Sequence, residues 1–242
     1  PNNLAVVWEE NNELQAISYE LLQLRVYQLA NYFKTNGLIN KGPSGPIQRV
    51  GVCLPRTLDY VVTLFACWHL GLVYVPLSDA SRERLGAKKV QEELKKRLEA
   101  FTQENLLTTV LMPKEMERFF AEKLEYKGPL LNYPDQNYFI EACDEEPKEE
   151  SLAAEEAYVF CSSGSTGTPK IIALPPDGIY GRIESVAKSL QIKAGEGILN
   201  YTPFDFDPSL MEILLALWYG ATLYIVPEIV RQEQSLAKFN QK

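Results

Sequence analysis

The chain has 242 residues and carries 24 Lys and Arg against 32 Asp and Glu, a net charge of −8. That balance argues against nucleic acid as the main partner, since phosphate backbones are bound by basic surfaces. Hydrophobic residues at 46% and aromatics at 11% exclude an intrinsically disordered chain, and no apolar run reaches the roughly 18 residues that suggest a membrane span.

The sequence begins Pro1-Asn2-Asn3 with no basic, apolar leader and no initiator methionine, so it reads as cut from something longer. Residues 17–35 place Leu21, Leu22, Val26, Leu29, Ala30 and Phe33 at helical spacing, which predicts an amphipathic helix closed near Asn36-Gly37. After the loop Lys41–Pro46, residues 49–54 read as a buried strand. Residues 57–70 read as an apolar helix ending at Gly71, and residues 73–77 as a second strand. That unit of about thirty residues fits a parallel crossover. Residues 81–100 are charged and rich in Ala and Leu, and their lysines and glutamates read as a solvated helix face. Residues 106–110 suggest another strand and residues 114–123 another helix, while the acidic run Asp144–Glu150 reads as a surface loop.

Tyr158-Val159-Phe160-Cys161 is a β-type run that enters Ser162-Ser163-Gly164-Ser165-Thr166-Gly167-Thr168-Pro169-Lys170, and Ile171–Leu174 leaves it as a second β-type run. Gly164 and Gly167 allow a tight turn and close backbone approach. Consecutive amides in such a turn form an anion-binding concavity, the hydroxyls add rotatable donors, and Lys170 supplies positive charge. The loop is a device for holding phosphate. It differs from a Walker A loop, which runs from strand into helix. The bland alternatives are a polar hairpin and, for Lys170, a solvated lysine at a strand edge.

Beyond the hairpin, residues 178–190 suggest a helix, 197–201 a strand, 209–219 a buried helix ended by Gly220, and 221–226 a further strand. Strands alternating with helices predict an α/β fold with mostly parallel sheets. Ligands in such folds sit beyond the carboxyl ends of strands, the place held by Thr202–Pro208. Asp207 there has two readings. It could face a ligand, or Asp207-Pro208 could be the N-cap and first residue of the helix. Ser209 and Glu212 fit a capping box of their own, which would leave Asp207 free. Glu212 and Tyr201 are read as structural. His69, the only histidine, suits a helix C-terminus, so a Ser-His-Asp triad is not expected. Cys53, Cys67, Cys143 and Cys161 lack zinc spacing and read as buried thiols of a reducing cytoplasm.

The string Ser162–Lys170 resembles the phosphate-loop signature of the adenylate-forming superfamily, which includes acyl-CoA synthetases, luciferases and the adenylation domains of nonribosomal peptide synthetases. Ile17-Ser18-Tyr19-Glu20-Leu21, Leu70–Leu77 and Phe206-Asp207-Pro208-Ser209-Leu210-Met211-Glu212-Ile213 resemble three further family segments in the same order. The last is that of amino-acid-activating members. Ile171 stands where the family usually has glycine after the lysine.

The resemblance implies a layered αβα fold, with residues 48–194 forming one layer and residues 1–47 and 195–242 starting the other. It implies ATP with Mg2+ and activation of an amino acid as aminoacyl-AMP with release of pyrophosphate. A phosphopantetheine carrier thiol, or CoA, would then accept the acyl group. Thr166 and Lys170 would face the β- and γ-phosphates as catalytic residues, with Ser162, Ser163, Gly164, Ser165, Gly167 and Thr168 around them. Asp207, beside Phe206, would pair with the substrate ammonium. No metal ligand is assigned. The adenine- and ribose-binding residues and the mobile lid are expected beyond residue 242, so the fragment should not complete adenylation alone. The alternatives are a fatty or aryl acid CoA ligase and a non-catalytic nucleotide-binding or scaffold module.

Overall fold

Arg49–Leu54 lacks polar alternation, as befits a strand covered on both faces, and it becomes β3, inside a six-stranded sheet. The computed structural model describes residues 3–10, 12–39, 46–79, 88–104, 106–141, 155–162 and 169–232. The sheet order is β6 (Leu130–Asn132), β5 (Thr109–Met112), β3, β4 (Val73–Asp79), β7 (Tyr158–Ser162), β8 (Lys170–Leu174). All neighbours are parallel except the β7–β8 hairpin. A second sheet has the order β2 (Glu13–Ser18), β1 (Leu4–Glu10), β10 (Thr222–Ile225), β9 (Gly197–Asn200). There, only β1 and β2 are antiparallel. The architecture is α/β, as expected.

The two-residue period of a strand divides the core. Val50, Val52 and Leu54 of β3 face α2 (Leu58–His69), in a cluster with α1 (Tyr19–Thr35), α7 (Asp207–Trp218) and the four-stranded sheet. On the opposite face Cys53, Val73, Val75 and Leu77 pack with Leu94, Leu98 and Phe101 of α3 (Lys88–Gln103). Tyr60, Tyr74, Tyr158 and Phe204 fill the space between the layers. Tyr60 stacks on Phe204 at 3.6 Å between ring centroids and meets Tyr74 edge-on at 5.5 Å.

Helix α1 starts where Ser18 Oγ accepts the Leu21 amide at 3.2 Å. It ends in a Schellman turn, with the Leu38 amide on the Phe33 carbonyl at 2.8 Å and Gly37 at φ +79°. Leu22, Val26, Leu29, Ala30 and Phe33 are buried as expected, but Leu21 is 53% exposed, so the apolar stripe is narrower than its spacing suggests. His69 ends α2 against the Tyr27 ring. Cys53, Cys67 and Cys161 are buried, as expected; Cys143 lies outside the described residues.

Several elements differ from expectation. The strand expected at 106–110 runs from Thr109 to Met112, because Leu106 instead donates its amide to Phe101 O at the end of α3. The helix expected over 114–123 is a 3-10 turn, Lys114–Met116, followed by α4 (Glu117–Glu122). The helix expected from residue 81 is described only from Lys88, and the acidic run 144–150 lies outside the described residues. The β1–β2 hairpin, β6, α5 (Gln136–Glu141) and the helix α8 (Glu228–Gln232) were not anticipated from the sequence. No helix among the described residues is long and apolar enough to cross a membrane.

Away from the hairpin, Asp59 at the start of α2 shares a cavity of about 420 Å³ with Glu10 and Arg25. Burial pushes its carboxyl up to about 6, against the Tyr133 hydroxyl hydrogen bond and the Arg25 charge, which pull it down. The folded protein therefore holds a proton there that the unfolded chain releases near 3.8. The resulting stabilisation is present below that value and is lost as pH rises through the folded value. Wild type should be more stable relative to Asp59→Asn at pH 5 than at pH 7 in urea unfolding. A difference that does not change with pH would contradict this.

Candidate functional site

The hairpin that carries the phosphate-loop string is built from two unlike strands. In β7, Tyr158, Val159 and Cys161 are buried against β4 and the core. Burial holds the Tyr158 hydroxyl well above its usual range and pushes the Cys161 thiol up to about 11. Strand β8 is the sheet edge and is largely open to solvent. The register pairs Tyr158 with Leu174, Cys161 with Ile171 and Ser162 with Lys170. Ser162 and Lys170 therefore face each other across the hairpin mouth, and Lys170 is exposed there. Ser163, Gly164, Ser165, Thr166, Gly167 and Thr168 lie outside the described residues.

The second motif lies between β9 and α7. Phe206 is the N-cap residue, in extended conformation, with no side chain capping the helix. Asp207 is its first helical residue and Pro208 the next, where the missing proline amide costs nothing. Asp207 is thus not the N-cap, which sets that alternative aside, and Ser209 with Glu212 does not form the capping box their spacing suggests. Their polar atoms are taken by the strand and loop before the helix. Ser209 Oγ accepts Asn200 Nδ2 at 2.9 Å. Glu212 accepts Asn200 Nδ2 at 2.9 Å, the Thr202 amide at 3.1 Å and the Thr202 hydroxyl at 2.6 Å. Folding the loop back onto the first turns of α7 satisfies its buried donors. Phe206 (52% exposed) and Asp207 are left facing outward.

Asp207 shares a groove of about 250 Å³ with Leu174 at the end of β8, Ile179 and Arg182 of α6 (Pro176–Leu190), and Met211 of α7. The hairpin's outgoing strand and the Phe-Asp segment thus border one depression, although they lie over thirty residues apart. A cation opposite a serine at the mouth of one motif, and an exposed carboxylate in the other, could receive an anion and an ammonium group respectively.

Three residues that organise this region were not anticipated from the sequence. Arg56, just past the carboxyl end of β3, is buried. Its guanidinium donates to Val226 O and Thr202 O, each at 2.7 Å, to Asn200 Oδ1 at 2.9 Å and to Asn200 O, and it lies 4.6 Å over the Phe204 ring. Tyr60 donates its hydroxyl to Phe204 O at 2.7 Å. Arg97 of α3 donates to Leu77 O at 2.6 Å and pairs with buried Asp205 at 2.7 Å. A signal for Arg97 was present: with Leu94, Leu98 and Phe101 it falls at i, i+3, i+4 and i+7, on the apolar stripe.

A family model described as AMP-binding enzyme matches residues 1–241. The chain is 31% identical over 232 residues to a component of the linear gramicidin synthase of Brevibacillus parabrevis, covering 96% of this chain and 3% of that protein. It is 28% identical over 236 residues to the L-proline--[L-prolyl-carrier protein] ligase of Pseudomonas fluorescens, covering 95% of this chain and 43% of the ligase. Among solved structures, a fatty acyl-adenylate ligase from L. pneumophila, in complex with acyl adenylate and pyrophosphate, superposes on the whole chain. The TM-score is 0.75 at 19% identity, covering 40% of that ligase. A four-domain nonribosomal peptide synthetase bound to AMP and glycine gives a TM-score of 0.74 at 22% identity, over all of this chain and 16% of that one. These two likenesses are of fold. The chain spans less than half the length of the curated relatives it matches. Matched over nearly its whole length, the chain belongs to the AMP-binding enzyme family.

Proposed function

We propose that this chain supplies the pyrophosphate-gripping and ammonium-reading parts of an enzyme that activates an amino acid with ATP. The observation that carries this reading is that the exposed Asp207 borders one groove with Leu174, which ends the same strand that Lys170 begins. In the reaction a substrate carboxylate oxygen attacks the α-phosphorus of ATP, and the bond to the bridging oxygen breaks. Pyrophosphate leaves with the electron pair, and aminoacyl-AMP remains. Negative charge gathers on the leaving group, so cations and amides that hold it lower the barrier. Lys170 and Thr166 take the β- and γ-phosphates, with Ser162, Ser163, Gly164, Ser165, Gly167 and Thr168 wrapped around them. Asp207 pairs with the ammonium group and turns the carboxylate toward the nucleotide, with Phe206 beside it. A carrier phosphopantetheine thiol then displaces AMP, giving the thioester and releasing one proton. The names of the relatives, a carrier-protein ligase and peptide synthases, support that acceptor.

When bound, magnesium would neutralise pyrophosphate charge. Among the described residues no group of three or more His, Cys, Asp or Glu could hold a metal ion.

Exchange of labelled pyrophosphate into ATP by the full-length protein tests the reading. Exchange should depend on an added amino acid, and that dependence should vanish in Asp207→Ala. Exchange driven by fatty or aryl acids and unaffected by Asp207→Ala would identify an acyl-CoA-ligase activity instead. Neither exchange nor ATP binding would identify a non-catalytic module.

A further inference from the structure

Asp207 is held outward by two inward-facing neighbours. Pro203–Phe206 forms a turn, closed by the Phe206 amide on Pro203 O at 3.0 Å. Within it Phe204 and Asp205 are buried, whereas Phe206 and the Asp207 that follows it are exposed. Phe204 is gripped by Tyr60 and Arg56, both from the segment that follows β3. Asp205 is gripped by Arg97, with side-chain exposures of 14% for the arginine and 4% for the aspartate. The same guanidinium nitrogen donates to Leu77 O, so Arg97 is fastened to β4 of the six-stranded sheet while it holds a loop of the other layer. The ion pair also lies beside the hairpin's incoming strand: the charges of Arg97, Asp205 and Asp207 all reach Tyr158, and that of Arg97 reaches Cys161.

Resting on the amino-acid activation proposed above, we propose that Arg97 is a positioning residue that acts through Asp205 to set where Asp207 meets the substrate ammonium. Burying a charge pair is costly, and apolar residues of similar volume often hold such a place equally well. A planar guanidinium adds direction, since its donors leave in fixed geometry. Here one set of those bonds joins the sheet bearing the phosphate hairpin to a residue two positions before Asp207. Holding the carboxylate in place matters because its charge-assisted hydrogen bond to the ammonium depends on geometry, and its loss removes binding that appears in KM.

The test separates orientation from stability. In the full-length protein, Arg97→Met/Asp205→Leu removes both charges and keeps the site largely filled, and kinetics are compared at a temperature where its melt shows it folded. Its KM for the amino acid in pyrophosphate exchange should rise about tenfold or more, while kcat and the KM for ATP stay within about threefold. A purely structural pair predicts an amino-acid KM like that of wild type, and that result overturns the proposal. Should the double variant fail to fold, Asp205→Ala removes the acceptor that ties the turn to Arg97 and leaves Arg97 bonded to Leu77 O. It must show the same split, and an unchanged amino-acid KM overturns the proposal equally. Wild-type protein that exchanges pyrophosphate with no amino acid contradicts the activity itself, and the positioning role falls with it.

Discussion

Lys170→Ala is expected to slow amino-acid-dependent pyrophosphate exchange by about 10²- to 10³-fold. The lysine opens β8 directly across from Ser162, at the mouth of a loop whose glycines and hydroxyls suit phosphate. Its charge counts most when the pyrophosphate departs, so kcat should fall while the KM for the amino acid changes little. Because the side chain is exposed and sits on an edge strand, the thermal melt should be unaffected. Lys170→Arg should recover part of the rate, since the charge is kept but a compact ammonium is replaced by a planar fork. A loss below about threefold in Lys170→Ala would show that the hairpin lysine does not bear on the leaving group.

Arg56→Met is expected to destabilise the fold by about 3 kcal/mol or more, measured by urea unfolding. The cost comes from stranding buried acceptors rather than from lost charge. Val226 O, Thr202 O and both oxygens of Asn200 converge on this guanidinium from β9, the end of β10 and the loop between β9 and α7. Methionine can fill much of the volume but donates nothing. Exchange activity should fall with the folded fraction, because Arg56 also lies over Phe204 in the turn that leads to Asp207. A change under about 1 kcal/mol would mean that water replaces the lost donors.

The α/β architecture was legible because long buried runs such as Arg49–Leu54 and Thr222–Ile225 alternate with helices of clear period. The β1–β2 hairpin was not, since the polar run Glu9-Glu10-Asn11-Asn12-Glu13 interrupts the apolar pattern between its two strands. Short elements such as β6, three residues long, exist only through pairing with β5 and leave no local signature. In the candidate site, the hairpin and the Phe-Asp segment were readable because each motif is contiguous. Ser209 and Glu212 matched a capping box by spacing, yet tertiary folding of Asn200 and Thr202 onto them decided their partners. Arg56 and Arg97 belong to segments far in sequence from the loops they hold, so only the fold brings them together. Arg97 also stood in a run of lysines and glutamates, where its position on the apolar stripe was outweighed by composition.

Everything proposed for the site depends on the hairpin between Ser162 and Lys170 gripping the part of ATP that departs. A crystal structure of the protein with a non-hydrolysable ATP analogue tests this most directly. Lys170 Nζ should lie about 3 Å from a β- or γ-phosphate oxygen, with amides of residues 163–168 donating to the same phosphates. Triphosphate bound elsewhere, with Lys170 directed into bulk solvent and those amides bonded to neighbouring backbone, would contradict that role.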